Sequence, residues 1–152
     1  MPKLDLKDLP CSGPLIAIDP GARSLGIAAS DGLRIIGSPV ETIPRGKKLA
    51  PALDRLFAIY DDRKAVGIIV GLPLNMDGSA GPRTQAAQAL AHNILARRDV
   101  PLAFQDERLS SAEAERAMLE ADLSRAKRAA SIDASAAAII LQAALDQLAR
   151  LS

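Results

Sequence analysis

Leu15-Ile16-Ala17-Ile18-Asp19-Pro20-Gly21-Ala22-Arg23-Ser24-Leu25-Gly26-Ile27-Ala28 reads as two buried strands with a charged break between them. Residues 15–19 form the first and residues 25–30 the second. Asp31-Gly32 predicts a hairpin turn, because both central positions of a type I′ turn favour positive φ. Residues 33–41 then return as a third strand, so the amino-terminal part is an antiparallel meander. The question the stretch raises is why a strand built for a core ends on a carboxylate.

Working outward, Leu49, Leu53, Leu56 and Phe57 recur at helical spacing and predict a helix over 47–60. Ala65-Val66-Gly67-Ile68-Ile69-Val70-Gly71 is a continuous apolar run, suited to a parallel strand buried on both faces. Residues 72–81 read as a loop. Pro82 opens a helix to about residue 98, its missing N–H being one of the donors a first turn leaves unpaired. Residues 100–105 read as a fifth strand. Ser110 and Glu113 form a capping-box pattern for a helix to about 119. The stretch 121–131 is basic and weakly patterned, and a last helix covers 133–151. The order β-β-β-α-β-α-β-α-α predicts an α/β fold. Its mixed five-stranded sheet combines a three-strand meander with two parallel strands and carries helices on both faces. Residues 1–13 are read as a flexible tail and 14–152 as a single domain.

Composition narrows the chemistry. The chain has 152 residues, long enough to bury a core without covalent staples. Aromatic residues are only 2%, so Ala, Leu and Ile must fill that core. One cysteine, Cys11, excludes an internal disulfide and a Cys-rich zinc site. The opening residues MPKLDLKDLPCSG carry no signal-peptide core, and no apolar run is long enough to span a bilayer. A cytoplasmic protein is expected. Net charge is +1, so the overall balance names no partner. Basic residues do cluster at Arg45, Lys47 and Lys48, at Arg97 and Arg98, and at Arg125, Lys127 and Arg128. Three such clusters around one acidic site would form a phosphate-binding rim.

The acids form a set. Asp19 ends the first strand, Asp106 and Glu107 follow the fifth, and Asp133 opens the last helix. Ligands of open α/β sheets collect beyond the carboxyl ends of strands. Taken singly, Asp19 is a turn aspartate before Pro-Gly, Asp106 or Glu107 pairs with Arg108, and Asp133 is an N-cap. But Asp133 also heads the stripe Ala137, Ile140, Ala144, near the packed face, where an unpaired charge is expensive. Carboxylates at close range raise one another's pKa unless a cation intervenes. Mg²⁺ suits a few carboxylates together with water and phosphate oxygens, and two such ions suit displacement at a phosphodiester. On this reading Asp19 ends its strand to aim a metal ligand, and Gly21 lets backbone and substrate approach closely.

Other chemistries find little support. His92 is the only histidine and lies mid-helix, against any histidine-dependent hydrolase triad. The loop between Gly71 and Gly78 lacks the G-K-[ST] of a Walker motif. Asn75, Asp77, Ser79 and Arg83 read equally as turn chemistry or as phosphate contacts near a helix start.

Four segments carry a family likeness: IAIDPGARSLGIAASD (16–31), VGLPLNMDGSAGPRTQ (70–85), FQDERLSSAEAERAML (104–119) and SIDASAAAIILQAALD (131–146). With these the chain resembles the YqgF-type family of pre-16S ribosomal RNA nucleases, also described as Holliday junction resolvase-like proteins. The resemblance implies a ribonuclease-H-like fold and the catalytic, metal-binding trio Asp19, Glu107 and Asp133. The residues themselves left Asp106 and Glu107 open; the family pattern D-E-R favours Glu107. Arg23, Arg83 and Arg108 become expected nucleic-acid contacts. The expected activity is a Mg²⁺- or Mn²⁺-dependent endonuclease processing the 5′ end of pre-16S rRNA during ribosome biogenesis. Its partner would be structured RNA or branched DNA, its state monomer or homodimer, with no membrane. The rivals are a Holliday junction resolvase acting on DNA, a non-catalytic nucleic-acid-binding factor, and a nucleotide phosphotransferase. Scarce aromatics favour backbone contact over base stacking.

Overall fold

The computed structural model describes residues 6–10, 12–21, 23–72, 81–106 and 125–151, with side chains in the last segment described from 136 to 150. Its five strands are β1 (Leu15–Pro20), β2 (Ser24–Ser30), β3 (Gly37–Pro44), β4 (Gly67–Leu72) and β5 (Leu102–Asp106). They form one mixed sheet in the order β3-β2-β1-β4-β5. The β3-β2-β1 part is the antiparallel meander, and β1, β4 and β5 run parallel. Three helices are described: α1 (Ala50–Asp62), α2 (Pro82–Arg97) and α3 (Arg125–Leu151).

Period-two alternation in the strands sorts the core into two layers. Ile16, Ile18, Ile68, Val70 and Leu102 face one side, where α1 contributes Leu53, Leu56, Phe57 and Tyr60 and α2 contributes Leu90 and Ile94. Leu15, Ala17, Ala28, Ile69 and Ala103 face the other, against Ala137, Leu141, Ala144 and Leu145 of α3. The second layer is rich in alanine on both partners, which brings α3 down close to the sheet. Central strands β1 and β4 are buried on both faces, as their unbroken apolar runs require. β3 and β5 are the edge strands, and β3 is only partly covered.

Three expectations are corrected. The β2–β3 connection spans residues 31–36 and not a two-residue turn. The Asp31 carboxylate accepts the N–H groups of Ile35 (2.8 Å) and Ile36 (3.0 Å), which stabilise a wider loop. The left-handed residue is Arg34, at φ 58°. Second, the supposed loose tail is packed where it is described. Leu6–Asp8 form a 3-10 turn, and Leu6 and Leu9 are buried in the α3 layer. Third, the last helix starts at Arg125, eight residues before Asp133. Asp133 therefore lies inside the helix and is not its N-cap. The predicted helix 110–119, with Ser110 and Glu113, lies outside the described residues.

Candidate nucleic-acid interface

The carboxyl ends of β1, β4 and β5 lie along one rim of the sheet, as parallel strands must. Asp19 stands at that rim, half-buried, and by alternation with Leu15 and Ala17 it faces the α3 side. Its antiparallel partner on β2 is Gly26. On its other side, continuing the register from Ile18 and Val70 puts Gly71 level with it, and Gly71 pairs with Gln105. The row across the sheet is thus Gly26, Asp19, Gly71, Gln105. Neither neighbour of Asp19 has a side chain, so the carboxylate rises from a shallow trough in the sheet. Sequence reading did not single out Gly26 or Gln105, and weighed Gly71 only as one end of a loop without a Walker motif. Their one signal was strand parity, which becomes usable only once register is known.

β4 lies between β1 and β5, so an acid at the end of β5 is two strand spacings from Asp19, about 10 Å. Parity sorts the two candidates there. Leu102 and Phe104 belong to the α1–α2 layer and Ala103 to the α3 layer. Asp106 shares the parity of Leu102 and Phe104, so it falls on the face opposite Asp19. Glu107 and Arg108 lie outside the described residues, as do Asn75, Asp77, Ser79 and Cys11. No group of three or more metal-ligating side chains gathers among the described residues.

The position of Asp133 follows from α3. The side chain of Leu141 packs beside Gly37, and Gln142 Oε1 accepts the Gly37 N–H (3.0 Å). Gly37 pairs with Ser30, whose hydroxyl accepts the N–H of Leu15 (2.9 Å). Residues 141–142 are therefore level with the start of β1. Residue 133 precedes Ala137 by one turn, on the helix that covers the Asp19 face of the sheet.

The turn after Asp19 has its own logic. The Gly21 N–H donates to the Ser24 carbonyl (3.0 Å), and a Cβ at Gly21 would lie 2.6 Å from that oxygen. Gly21 is thus required by the turn itself, where sequence reading assigned it to substrate approach. Arg23 is exposed on this turn, and Arg83 is exposed in the first turn of α2. His92 is exposed on α2, as its setting suggested. Of the three basic clusters, Arg97 and Arg98 sit at the far end of α2, paired with Asp54 and Asp61 of α1. Arg98 also lies over the rings of Phe57 (5.0 Å) and Tyr60 (5.5 Å). Burial pushes the Tyr60 hydroxyl pKa up, with Arg98 opposing. This pair of arginines is structural. Arg125, Lys127 and Arg128 belong to the first turn of α3, where side chains lie outside the described set.

Comparison with known proteins agrees with this architecture. Residues 13–147 match the family described as "RuvX: Holliday junction resolvase". A Cereibacter sphaeroides protein named "Putative pre-16S rRNA nuclease" is 50% identical over 143 residues, covering 94% of this chain and 89% of its own. A Paracoccus denitrificans protein of the same name is 49% identical over 140 residues, covering 92% and 88%. The solved structure of T. thermophilus RuvC in complex with a Holliday junction substrate superposes with a TM-score of 0.55 at 15% identity, over 90% of this chain and 96% of that one. At that identity the likeness establishes the fold, which is ribonuclease-H-like.

Proposed function

Because the chain belongs to the RuvX family of Holliday junction resolvases, we propose that it is a metal-dependent endonuclease that hydrolyses phosphodiester bonds in structured RNA. Its substrate is the 5′ end of a pre-16S rRNA, in the bacterial cytoplasm. The observation that carries this reading is the half-buried carboxylate of Asp19, set between two glycines on the sheet rim. The relatives' shared name supports RNA as substrate.

Asp19, Glu107 and Asp133 would hold Mg²⁺ or Mn²⁺. The fit is chemical and steric: carboxylate oxygens are hard donors, and the glycine-flanked trough accepts an ion that retains water and phosphate ligands. When bound, such ions supply Lewis-acid polarisation of the phosphate and a water nucleophile at neutral pH. The chain's own contribution is positional. A rigid central strand aims Asp19, and α3, which carries Asp133, covers the same face of the sheet. Arg23, Arg83 and Arg108 contact backbone phosphates, holding the scissile bond over the trough.

The test is Asp19→Asn. The variant keeps its circular dichroism and melting temperature and loses metal-stimulated cleavage of a pre-16S rRNA fragment. Cleavage at the wild-type rate overturns the assignment. Salt-dependent RNA binding by the wild type with no metal-stimulated turnover would identify a non-catalytic binding factor instead. A second reading, resolution of branched DNA, is favoured by the family description. It requires a symmetric dimer for paired cuts. Mass in solution, together with cleavage of a four-way DNA junction against pre-rRNA, separates the two.

A further inference from the structure

Three arginines among the described residues are ion-paired. Arg55, Arg97 and Arg98 each pair with an acid, namely Glu41, Asp54 and Asp61. Arg23, Arg45, Lys47 and Lys48 make no ion pair among the described residues, and all four lie at the same end of the sheet. Arg23 is on the turn after β1. Arg45, Lys47 and Lys48 follow β3, whose end is held beside the start of β2 by the Ser24–Pro44 pair. The two segments are tied together directly. The Arg45 N–H donates to the Arg23 carbonyl (2.8 Å), and the Arg45 guanidinium donates to the Gly21 carbonyl (3.3 Å). Arg45 is half-buried, whereas Arg23, Lys47 and Lys48 are exposed. No acid stands in the first turn of α1, which begins just beyond Lys48.

We infer that Arg23, Arg45, Lys47 and Lys48 form a phosphate track that leads the nucleic-acid backbone away from the Asp19 trough toward the β3 edge. A set of like-signed side chains with no ion pair among the described residues, gathered on two mutually braced loops, is unfavourable in the free protein. A polyanion relieves that repulsion and releases its own counterions. The ligand chemistry is the phosphodiester backbone, shared by RNA and DNA. The inference rests on the proposed nuclease reading for the identity of the chain being held, but its electrostatics do not depend on catalysis.

The experiment measures affinity against salt, in EDTA so that nothing is cut. The probes are a labelled RNA hairpin and a labelled four-way DNA junction. Wild type is compared with Lys47→Gln/Lys48→Gln and with Arg97→Gln/Arg98→Gln. Removing two phosphate contacts should flatten the slope of log K against log salt by about 1.4 to 1.8, with weaker binding at every salt concentration. The arginine control should keep the wild-type slope while melting at a lower temperature. Equal flattening on both probes identifies a general backbone track; flattening on one alone names its source. An unchanged slope in the lysine variant overturns the track. If that unchanged slope accompanies normal metal-stimulated cleavage by the wild type, the nuclease reading stands. A flattened slope with no wild-type cleavage supports the track and overturns the nuclease reading. Wild type that binds neither probe overturns both.

Discussion

Gly37 and Leu141 meet so closely that a Cβ added to the glycine would stand 2.9 Å from Leu141 Cγ. That contact sets how low α3 sits on the sheet. The atom in the way is a branch point and not a free chain end, so relief would require moving the helix. Gly37→Ala is expected to destabilise the protein by about 1–3 kcal/mol, the usual range for overpacking. Denaturant unfolding with an unchanged m-value checks this. A neutral effect would mean that α3 is free to lift.

Arg34 holds the amino-terminal segment. Its guanidinium donates to the carbonyls of Gly13 (2.8 Å) and Pro10 (2.5 Å), although its backbone lies in the left-handed region. Arg34→Ala keeps the unfavourable φ and loses both charge-assisted bonds. The expected loss is about 2 kcal/mol. Amide exchange in residues 6–9 should accelerate more than exchange in β1, which distinguishes local release from global unfolding.

Glu41 and Arg55 form a two-pronged pair between β3 and α1, at 2.6 and 2.9 Å. Hydrogen bonding to Arg55 holds the Glu41 carboxyl below its ordinary 4.5, with burial opposing and the Arg55 charge assisting. A lowered folded pKa contributes stability that is present above the unfolded value and lost as pH falls through the folded one. Glu41→Gln should therefore destabilise at pH 7, by less than about 1 kcal/mol for a solvent-screened pair. The difference should shrink below about pH 4.5, the ordinary value, and vanish once the folded carboxyl is protonated. Melting temperatures of both proteins across pH 3–7 would show it (a range chosen to bracket ordinary carboxylate titration, roughly pH 4).

Lys64 ends α1 with φ 55°. Around it, the Ala65 N–H donates to the Tyr60 carbonyl (2.9 Å) and the Lys64 N–H to that of Asp61 (3.1 Å). Glycine is the residue suited to this helix end. Lys64→Gly is expected to raise stability by roughly 0.5–1 kcal/mol, after the added freedom of the unfolded chain is subtracted. A lower melting temperature would refute that account of the cap.

Much of this was legible in advance. The apolar runs 15–19 and 65–71 identified the two central strands, because strands buried on both faces leave no other pattern. Pro82 marked the start of α2, and Leu53, Leu56 and Phe57 marked the inner face of α1. The failures were of a different kind. Asp31-Gly32 looked like a tight turn, but the Asp31 carboxylate captures two N–H groups further on and the loop widens. Asp133 looked like a helix start because the stretch 121–131 before it is basic and weakly patterned. Helical hydrogen bonding nevertheless continues back to Arg125.

From its sequence alone, this protein declared its elements, their order, and the carboxylate that ends β1. Those follow from local periodicity, which a chain carries wherever it goes. Only the tertiary structure placed β4 between β1 and β5, put Asp106 on the face away from Asp19, and set Gly26 and Gly71 on either side of that carboxylate. It alone distinguished the paired arginines at the end of α2 from the cations beside the Asp19 turn, which make no ion pair among the described residues. Each of these depends on register and strand order, which are decided by packing between segments far apart in the chain.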